Sequence, residues 1–162
     1  MSRLDSAIRR LLAQRACLDR AAELIEDKPG PVLEFGLGNG RTFDHLRSLL
    51  PDHDIFVFER KVAAHPDSTP DDAHLFVGAF GDTAPDALDR MGARAVLSHC
   101  DIGSGDRDAS QKNAKALVPL LGPLLAPGAI VVGDQDMSFA GWQDVALPDG
   151  VAPGRYFMYR VA

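Results

Sequence analysis

Three glycines at alternate positions, Gly36, Gly38 and Gly40, constrain this chain more than any other feature of its sequence. They follow the apolar run Val32–Phe35, which carries one carboxylate at Glu34, and precede a stretch with helical spacing of apolar residues. Because glycine lacks a Cβ, its backbone adopts positive φ easily and lets a ligand approach the main chain closely. The helix that follows directs its free N–H groups toward the same place. The segment therefore predicts a strand, a ligand-binding loop and a helix.

Apolar runs and helical patterns alternate along most of the chain. The runs predict five strands, Val32–Phe35, Asp54–Glu59, His74–Gly78, Ala93–Asp101 and Ala129–Asp134, then two more at Trp142–Leu147 and Arg155–Val161. The helical patterns cover residues 3–27, Thr42–Leu50, Asp108–Leu125 and a short segment from an N-cap at Thr83 to Met91. This order predicts an α/β fold, with a three-layer, mostly parallel, doubly wound Rossmann-like sheet and an antiparallel C-terminal edge hairpin. We expect Trp142, Tyr156 and Tyr159 to pack that hairpin.

The chain length of 162 residues predicts a single domain, residues 1–162, in which residues 1–29 form a helix that packs on or caps the core. The apolar face of this helix is expected to be buried and comprises Leu4, Ile8, Leu11, Leu12, Leu18, Ala22 and Ile25. The other face carries Arg3, Arg9, Arg10, Arg15 and Arg20. We interpret these arginines as a solvated face, with capture of an anionic substrate or partner as the alternative.

Composition and cysteine spacing disfavour some classes of partner and cellular setting. The net charge of −6 disfavours nucleic acid, since binding to phosphates rests on Lys and Arg. No apolar run is long enough to cross a membrane, and no targeting segment is present. Cys17 and Cys100 lack the spacing of metal ligands, which favours a reduced, cytoplasmic setting.

Carboxylates mark the ends of four predicted strands, at Glu34, Glu59, Asp101 and Asp134. In open α/β sheets, ligands bind beyond the carboxyl ends of the strands. Glu59 lies 19 residues after Gly40, close to the offset at which an acid binds a ribose diol in nucleotide-binding units. These residues therefore predict a pocket for an adenosine-containing ligand.

The loop departs from the dinucleotide pattern G-x-G-x-x-G. Its third glycine comes one residue early, so that Arg41 occupies the usual position, and Glu34 would repel a pyrophosphate. The same carboxylate suits an ammonium group. An NAD-dependent oxidoreductase is thus the weaker alternative.

The segment from Glu34 to Gly40 resembles the first motif of class I S-adenosylmethionine-dependent methyltransferases. Glu59 matches the ribose-binding acid of that family, Asp101 matches the polar position that closes its fourth strand, and Pro127-Gly128-Ala129 matches the turn before its fifth. The resemblance covers about residues 30–135 and implies S-adenosyl-L-methionine as cofactor. The cofactor-binding residues that it implies are Glu34, Gly36, Gly38, Asn39, Gly40, Arg41, Thr42, Glu59, Arg60, Gly78, Ala79, Phe80 and Asp101. Thr42 is also interpreted as an N-terminal helix cap.

Some features depart from that family. Ala79 and Phe80 stand where an acid often follows the third strand, and Pro66 and Pro70 predict a reduced or missing helix between the second and third strands. No appended substrate domain is expected, which leaves the acceptor site to loops, the N-terminal helix or a neighbouring subunit. A homo-oligomer is therefore possible.

Transfer to a hydroxyl or amine calls for a base, and Asp101 and Asp134 are the predicted catalytic residues. Asp136 is a further possibility, whereas His99 is interpreted as a histidine buried in its strand. Asp101, Asp134 and Gln135 resemble the divalent-metal ligands of catechol-type O-methyltransferases. However, Gln135 replaces the usual Asn and no lysine follows Asp101, so no metal is predicted. The expected function is methyl transfer to an unidentified small molecule, with a non-catalytic S-adenosylmethionine-binding module as another alternative.

Overall fold

The computed structural model describes residues 1–162 and contains one seven-stranded sheet. Its strands are β1 (Val32–Phe35), β2 (Ile55–Glu59), β3 (Leu75–Val77), β4 (Ala95–Cys100), β5 (Leu125–Gly133), β6 (Gln143–Asp144) and β7 (Phe157–Arg160). The helices are α1 (Arg3–Leu24), α2 (Arg41–Leu49), α3 (Phe80–Thr83), α4 (Ala87–Met91) and α5 (Arg107–Leu121).

The strands lie in the order β3-β2-β1-β4-β5-β7-β6. The first five are parallel, whereas β7 pairs antiparallel with both β5 and β6. Strand order reverses between β1 and β4, which is where such sheets bind their ligands. The predicted Rossmann-like α/β fold with an antiparallel edge is confirmed.

Helices cover both faces of the sheet. α1 and α2 pack on one face around Leu18, Leu46 and Val57, and α3, α4 and α5 pack on the other around Phe58 and Leu117. Each face buries a separate apolar cluster, because side chains of successive strand residues point to opposite sides. The central strands are therefore apolar on both faces, as a buried parallel sheet requires.

Phenylalanines on three neighbouring strands stack across the second face. Phe35, Phe58 and Phe76 occupy paired positions of β1, β2 and β3, with ring centroids 4.3 and 4.5 Å apart. The rings are nearly parallel, and Phe80 of α3 meets Phe35 edge-on at 5.3 Å. The ladder fixes the start of α3 against the carboxyl end of β1.

Several element boundaries differ from the predictions. The C-terminal hairpin is shorter than expected, since β6 has only two residues and Trp142 lies outside it. The predicted helix from Thr83 to Met91 is instead two helices, and Thr83 ends α3 rather than capping a helix. The predicted helix to Leu125 ends at Leu121 and a 3₁₀ turn follows. Two 3₁₀ turns, Pro66–Ser68 and Asp72–His74, replace a helix between β2 and β3, as predicted.

The packing of α1 corrects the prediction that its whole apolar face is buried. Only its C-terminal half packs on the sheet, through a face that includes Cys17 and Leu18, whereas Leu4 and Leu12 are 69% and 50% exposed. A 22-residue helix is roughly 33 Å long, but strands of four to six residues span only about 13–20 Å. The N-terminal turns of α1 therefore project past the carboxyl edge of the sheet. None of the helices is both long and apolar enough to cross a membrane.

Candidate functional site

Two cavities open side by side at the carboxyl edge of the sheet. The smaller, of about 440 Å³, we call the Glu59 cavity, and its wall includes Glu59, Phe80 and Leu117. The larger, of about 770 Å³, we call the Arg155 cavity, and its wall includes Asp134 and Arg155. Both are lined by Gly36, Gly38 and Asp101, so they meet at the glycine loop and the end of β4. Their volumes are typical of small-molecule sites.

Glycine is needed at the three positions of the loop for different structural reasons. A Cβ on Gly36 would lie 2.3 Å from the backbone oxygen of Asp101, and one on Gly40 would lie 2.3 Å from the backbone oxygen of Ser68. A Cβ on Gly38 would meet no atom within 4 Å. Gly36 and Gly40 are thus required by packing, whereas Gly38 adopts a φ of +54° beside empty space. Gly38 is the glycine that leaves room for a ligand.

Glu59 holds the loop in place from the end of β2. One carboxylate oxygen accepts the backbone N–H groups of Leu37 and Gly38 at 2.7 and 3.1 Å, and the other accepts those of Arg60 at 2.7 Å and Lys61 at 3.4 Å. Because a carboxylate has about four acceptor positions, a ligand hydroxyl would displace the longest of these bonds, that of Lys61. The residue is half-buried on the cavity wall.

The far wall of the Glu59 cavity is apolar. Ala79 and Phe80 line it from the segment after β3, and Leu117 and Leu120 line it from α5. A flat ring system is suited to such a wall, because aromatic and aliphatic side chains bury it without competing for its polar edge.

Two carboxylates, those of Asp101 and Asp134, line the Arg155 cavity from the ends of the neighbouring strands β4 and β5. Asp134 accepts the backbone N–H groups of Ile102 and Gly103 at 3.2 and 2.8 Å, while Asp101 accepts a hydrogen bond from the side chain of Gln14 at 3.1 Å. Burial, followed by repulsion from Asp101, raises the pKa of Asp134. A carboxylate with a raised pKa accepts a proton more readily than an ordinary one.

Glu34 lies behind the glycine loop and not in either cavity. Its side chain is completely buried, and one oxygen accepts hydrogen bonds from Thr42 and, at 3.0 Å, from His99. Its other oxygen, Oε2, is buried without a hydrogen-bond partner, so the contact of Glu34 with a ligand ammonium stays a prediction. The prediction that Thr42 caps α2 is wrong, since Gly40 occupies the N-cap position and the Thr42 hydroxyl bonds Glu34.

His99 joins Glu34 to a wider polar network. As expected, it is buried in β4, where its Nε2 lies 2.6 Å from the hydroxyl of Tyr156. Gln14 donates to that hydroxyl at 3.1 Å and also to Asp101. Burial opposes protonation of His99, but the hydrogen bond and charge of Glu34, together with the charges of Asp101 and Asp134, outweigh it and raise the pKa of the imidazole. The network links the protein interior to the carboxylate where the cavities meet.

Only some of the predicted site residues line the cavities. Those that do are Gly36, Gly38, Glu59, Arg60, Ala79, Phe80, Asp101 and Asp134. Those that do not are Glu34, Asn39, Gly40, Arg41, Thr42 and Gly78. After Gly38 the chain turns at Gly40 into α2, which begins at Arg41, and the residues of this turn line neither cavity. No cluster of three or more His, Cys, Asp or Glu side chains is placed to hold a metal ion.

Several lining residues lie outside the predicted site. Leu117 and Leu120 belong to the predicted helix Asp108–Leu125, and Arg155 begins the predicted strand Arg155–Val161. Arg10 was assigned to a solvated face, yet it lines the Arg155 cavity, because the projecting turns of α1 lie beside it. The one available signal was spacing, since Arg10 precedes the buried Gln14 by one helical turn.

Comparisons with known proteins identify the family. The sequence model of a family described as S-adenosyl-L-methionine methyltransferase matches residues 1–161. A crystal structure of an S-adenosyl-L-methionine methyl transferase from Silicibacter pomeroyi DSS-3 is 46% identical, with 99% of each chain covered and a TM-score of 0.91. No curated protein matches the sequence significantly.

A more distant likeness concerns the fold alone. The plantazolicin methyltransferase BpumL in complex with SAH (S-adenosylhomocysteine) is 12% identical, with a TM-score of 0.55 over 76% of this chain. The match spans 47% of that protein. A complex of BpumL with a triazolic desmethylPZN analog and SAH is 14% identical, with a TM-score of 0.56 over 77% of this chain and 46% of the other.

Proposed function

This chain belongs to the S-adenosyl-L-methionine methyltransferase family, and we propose that it transfers the methyl group to a small molecule held in the Arg155 cavity. It is an S-adenosyl-L-methionine-dependent enzyme. This assignment replaces the alternative of an NAD-dependent oxidoreductase. The observation that carries the proposal is the meeting of an apolar cavity and a polar cavity at Gly36, Gly38 and Asp101. A donor and an acceptor bound on the two sides would be adjacent there, and proximity supplies much of the catalysis of such a transfer.

The residues of the Glu59 cavity fit the donor. The open space beside Gly38 admits a ligand against the backbone, the Glu59 carboxylate suits a ribose diol, and the wall around Phe80 and Leu117 suits adenine. Asp101 lies where it would attract the ammonium of the methionine part. S-adenosyl-L-methionine supplies an electrophilic methyl group on a positively charged sulfur.

We assign the proton transfer to Asp134 for an acceptor that carries a hydroxyl or an amine. Its carboxylate is oriented by the N–H groups of Ile102 and Gly103, and its raised pKa favours protonation. Asp101 keeps its orientation through Gln14. Glu34 has a structural role in this proposal, holding Thr42 and His99 behind the loop.

Calorimetry tests the donor assignment. We expect the protein to bind S-adenosylhomocysteine and not NAD, whereas binding of NAD alone would refute the proposal. Release of S-adenosylhomocysteine in the presence of a panel of small hydroxyl and amine acceptors then tests turnover. Silence toward the whole panel, with the donor bound, would favour the non-catalytic binding module.

Charge and cysteine chemistry support a cytoplasmic enzyme that acts without nucleic acid. A net charge of −6 disfavours binding to the phosphate backbone of a nucleic acid. Cys17 and Cys100 are both unpaired and buried, and burial raises their pKa values to about 11 and about 12. Unpaired thiols are typical of a reducing compartment.

We also propose that a second copy of this chain covers the apolar stripe on α1 formed by Leu4, Ile8, Leu11 and Leu12. Five of the seven exposed large hydrophobic residues lie within the first twelve positions. Such a patch marks an interaction site, and a helix face pairs with itself across a two-fold axis. Light scattering should give the mass of a dimer, reduced to that of a monomer by Ile8→Lys; a monomeric wild type would contradict the proposal.

A further inference from the structure

We infer that the acceptor is a hydrophilic anion, bound through a carboxylate or phosphate group by Arg10 and Arg155. The inference rests on the proposed function, because it concerns the cavity assigned above to the acceptor. It adds the chemical class of the substrate, which follows from the wall of the Arg155 cavity.

The wall of the Arg155 cavity is mostly polar. It contains no aromatic side chain, and Ala152 and Pro153 are its only apolar residues apart from glycines. Burying a hydrophobic acceptor there would release little apolar surface from water, so a lipid-like or aromatic molecule would gain little affinity. The neighbouring Glu59 cavity has the opposite character, with Phe80, Leu117 and Leu120 in its wall.

Two arginines line this cavity from different elements. Arg10 comes from the projecting part of α1, and Arg155 comes from the segment that leads into β7. Neither takes part in an ion pair within the chain, whereas Arg20 and Arg47 pair with acids one turn away. Planar guanidinium groups bind carboxylates and phosphates with two parallel hydrogen bonds.

The buried network includes residues close in sequence to both arginines. The Gln14 side chain donates to the Tyr156 hydroxyl and to Asp101, both at 3.1 Å. Arg10 lies one helical turn before Gln14, and Arg155 lies next to the completely buried Tyr156. The two cationic residues are therefore attached to buried anchors that bond to each other, although their own side chains reach solvent.

The opposite charges in the wall give the acceptor a direction. Arg10 and Arg155 attract the anionic group, while Asp134 attracts a hydroxyl or amine that donates hydrogen bonds. A molecule with both groups binds with its nucleophile at Asp134, on the side of Gly36 and Gly38. Molecules without the anionic group lose the charge-assisted contacts.

Malonate and inorganic phosphate are suitable probes, because they separate a carboxylate source from a phosphate source. Each is titrated by calorimetry into the complex of the full chain with S-adenosylhomocysteine. We expect at least one of them to bind the wild type, with affinity at least tenfold weaker in the double variant Arg10→Gln/Arg155→Gln. Arg9→Gln is the matched control, since Arg9 is an exposed arginine on the same helix that lines neither cavity.

Different outcomes would refute the inference and the proposed function. Absence of binding by both probes, undiminished binding in the double variant, or an equal loss in Arg9→Gln would overturn the inference. A tenfold loss of S-adenosylhomocysteine affinity in the double variant would also overturn it, because the arginines would then hold the donor's own carboxylate. Failure of the wild type to bind S-adenosylhomocysteine would instead refute the proposed function.

Discussion

At the scale of single residues, Glu59 combines two tasks. Its carboxylate accepts the N–H groups of Leu37 and Gly38 and also lines the smaller cavity. The residue therefore shapes the glycine loop before any ligand arrives, which position in the sequence alone did not indicate. A loop that is held in its binding conformation loses less entropy on binding.

We expect Glu59→Ala to weaken the binding of S-adenosylhomocysteine by about 1–3 kcal/mol, the cost of losing charge-assisted hydrogen bonds. Calorimetry measures the change. Glu26→Ala, at an exposed acid beyond α1, is the control and should retain wild-type affinity. Unchanged affinity in Glu59→Ala would mean that the ribose is held by other residues.

Gly38 offers a second test at this scale. We expect Gly38→Val to abolish binding of S-adenosylhomocysteine, because its side chain would fill the open space beside the loop. The positive φ should lower the free energy of unfolding by about 1–3 kcal/mol. Calorimetry and chemical denaturation report the two effects.

Gly92→Val is the matched control for backbone strain. Gly92 has a φ of +74° and open space around its hypothetical Cβ, but it lies after α4, away from both cavities. Comparable destabilisation with intact binding is expected. If Gly38→Val still binds the ligand, the loop does not form the donor site.

At the scale of elements, α1 shows how length overrides pattern. Its apolar residues recur at helical spacing over its full length, but the sheet beneath supports only the C-terminal half. The unsupported turns extend beside the Arg155 cavity and carry Arg10 there. One helix thus contributes to the core, to the site and to an exposed apolar stripe.

Because only half of α1 is packed on the sheet, we expect leucine-to-alanine substitutions in its two halves to lower the free energy of unfolding by different amounts. Leu18→Ala should lower the free energy of unfolding by about 2–5 kcal/mol, because Leu18 is 1% exposed and its removal leaves a cavity. Leu12→Ala should cost less than about 0.5 kcal/mol, since half of its surface is exposed. Denaturation of dilute, monomeric protein measures both. Equal costs would mean that the N-terminal half of α1 is packed in solution.

At the scale of the whole molecule, a buried polar network connects elements from both ends of the chain. Gln14 of α1, Glu34 of β1, His99 of β4 and Tyr156 before β7 are each at most 5% exposed. Polar groups buried together stabilise one arrangement of these elements, because an unpaired partner would be costly. The network should therefore also make stability depend on pH.

We expect the free energy of unfolding to fall as pH rises from about 6.5. His99 has a raised pKa in the folded protein, so the folded state binds more protons than the unfolded state above the unfolded pKa. Its contribution is fully present below pH 6.5 and is lost as pH rises through the folded pKa. The slope for one proton is at most about 1.4 kcal/mol per pH unit.

Denaturation between pH 6 and pH 8.5 measures this slope. His99→Gln removes the titrating group and Glu34→Gln removes the partner that favours its charge, so both variants should have a flatter profile. The half-buried His74 also has a raised pKa, chiefly through its hydrogen bond to Asp71, and for this reason each variant's slope is compared with that of the wild type. A slope in His99→Gln equal to that of the wild type would refute the role of the network.

The sequence by itself determined the class of fold, the glycine loop and the acid at the end of β2. These features depend on local chemistry, namely the spacing of apolar residues, the conformational freedom of the glycine backbone and the position of a carboxylate at a strand end. It also indicated S-adenosyl-L-methionine, which the family match bears out. Tertiary packing decided which residues line the site. Whether Glu34 faces a ligand or the interior depends on His99 and Thr42, and whether Arg10 is solvated or lines a cavity depends on how far α1 extends past the sheet. Such contacts join residues distant in the chain, so no local pattern encodes them.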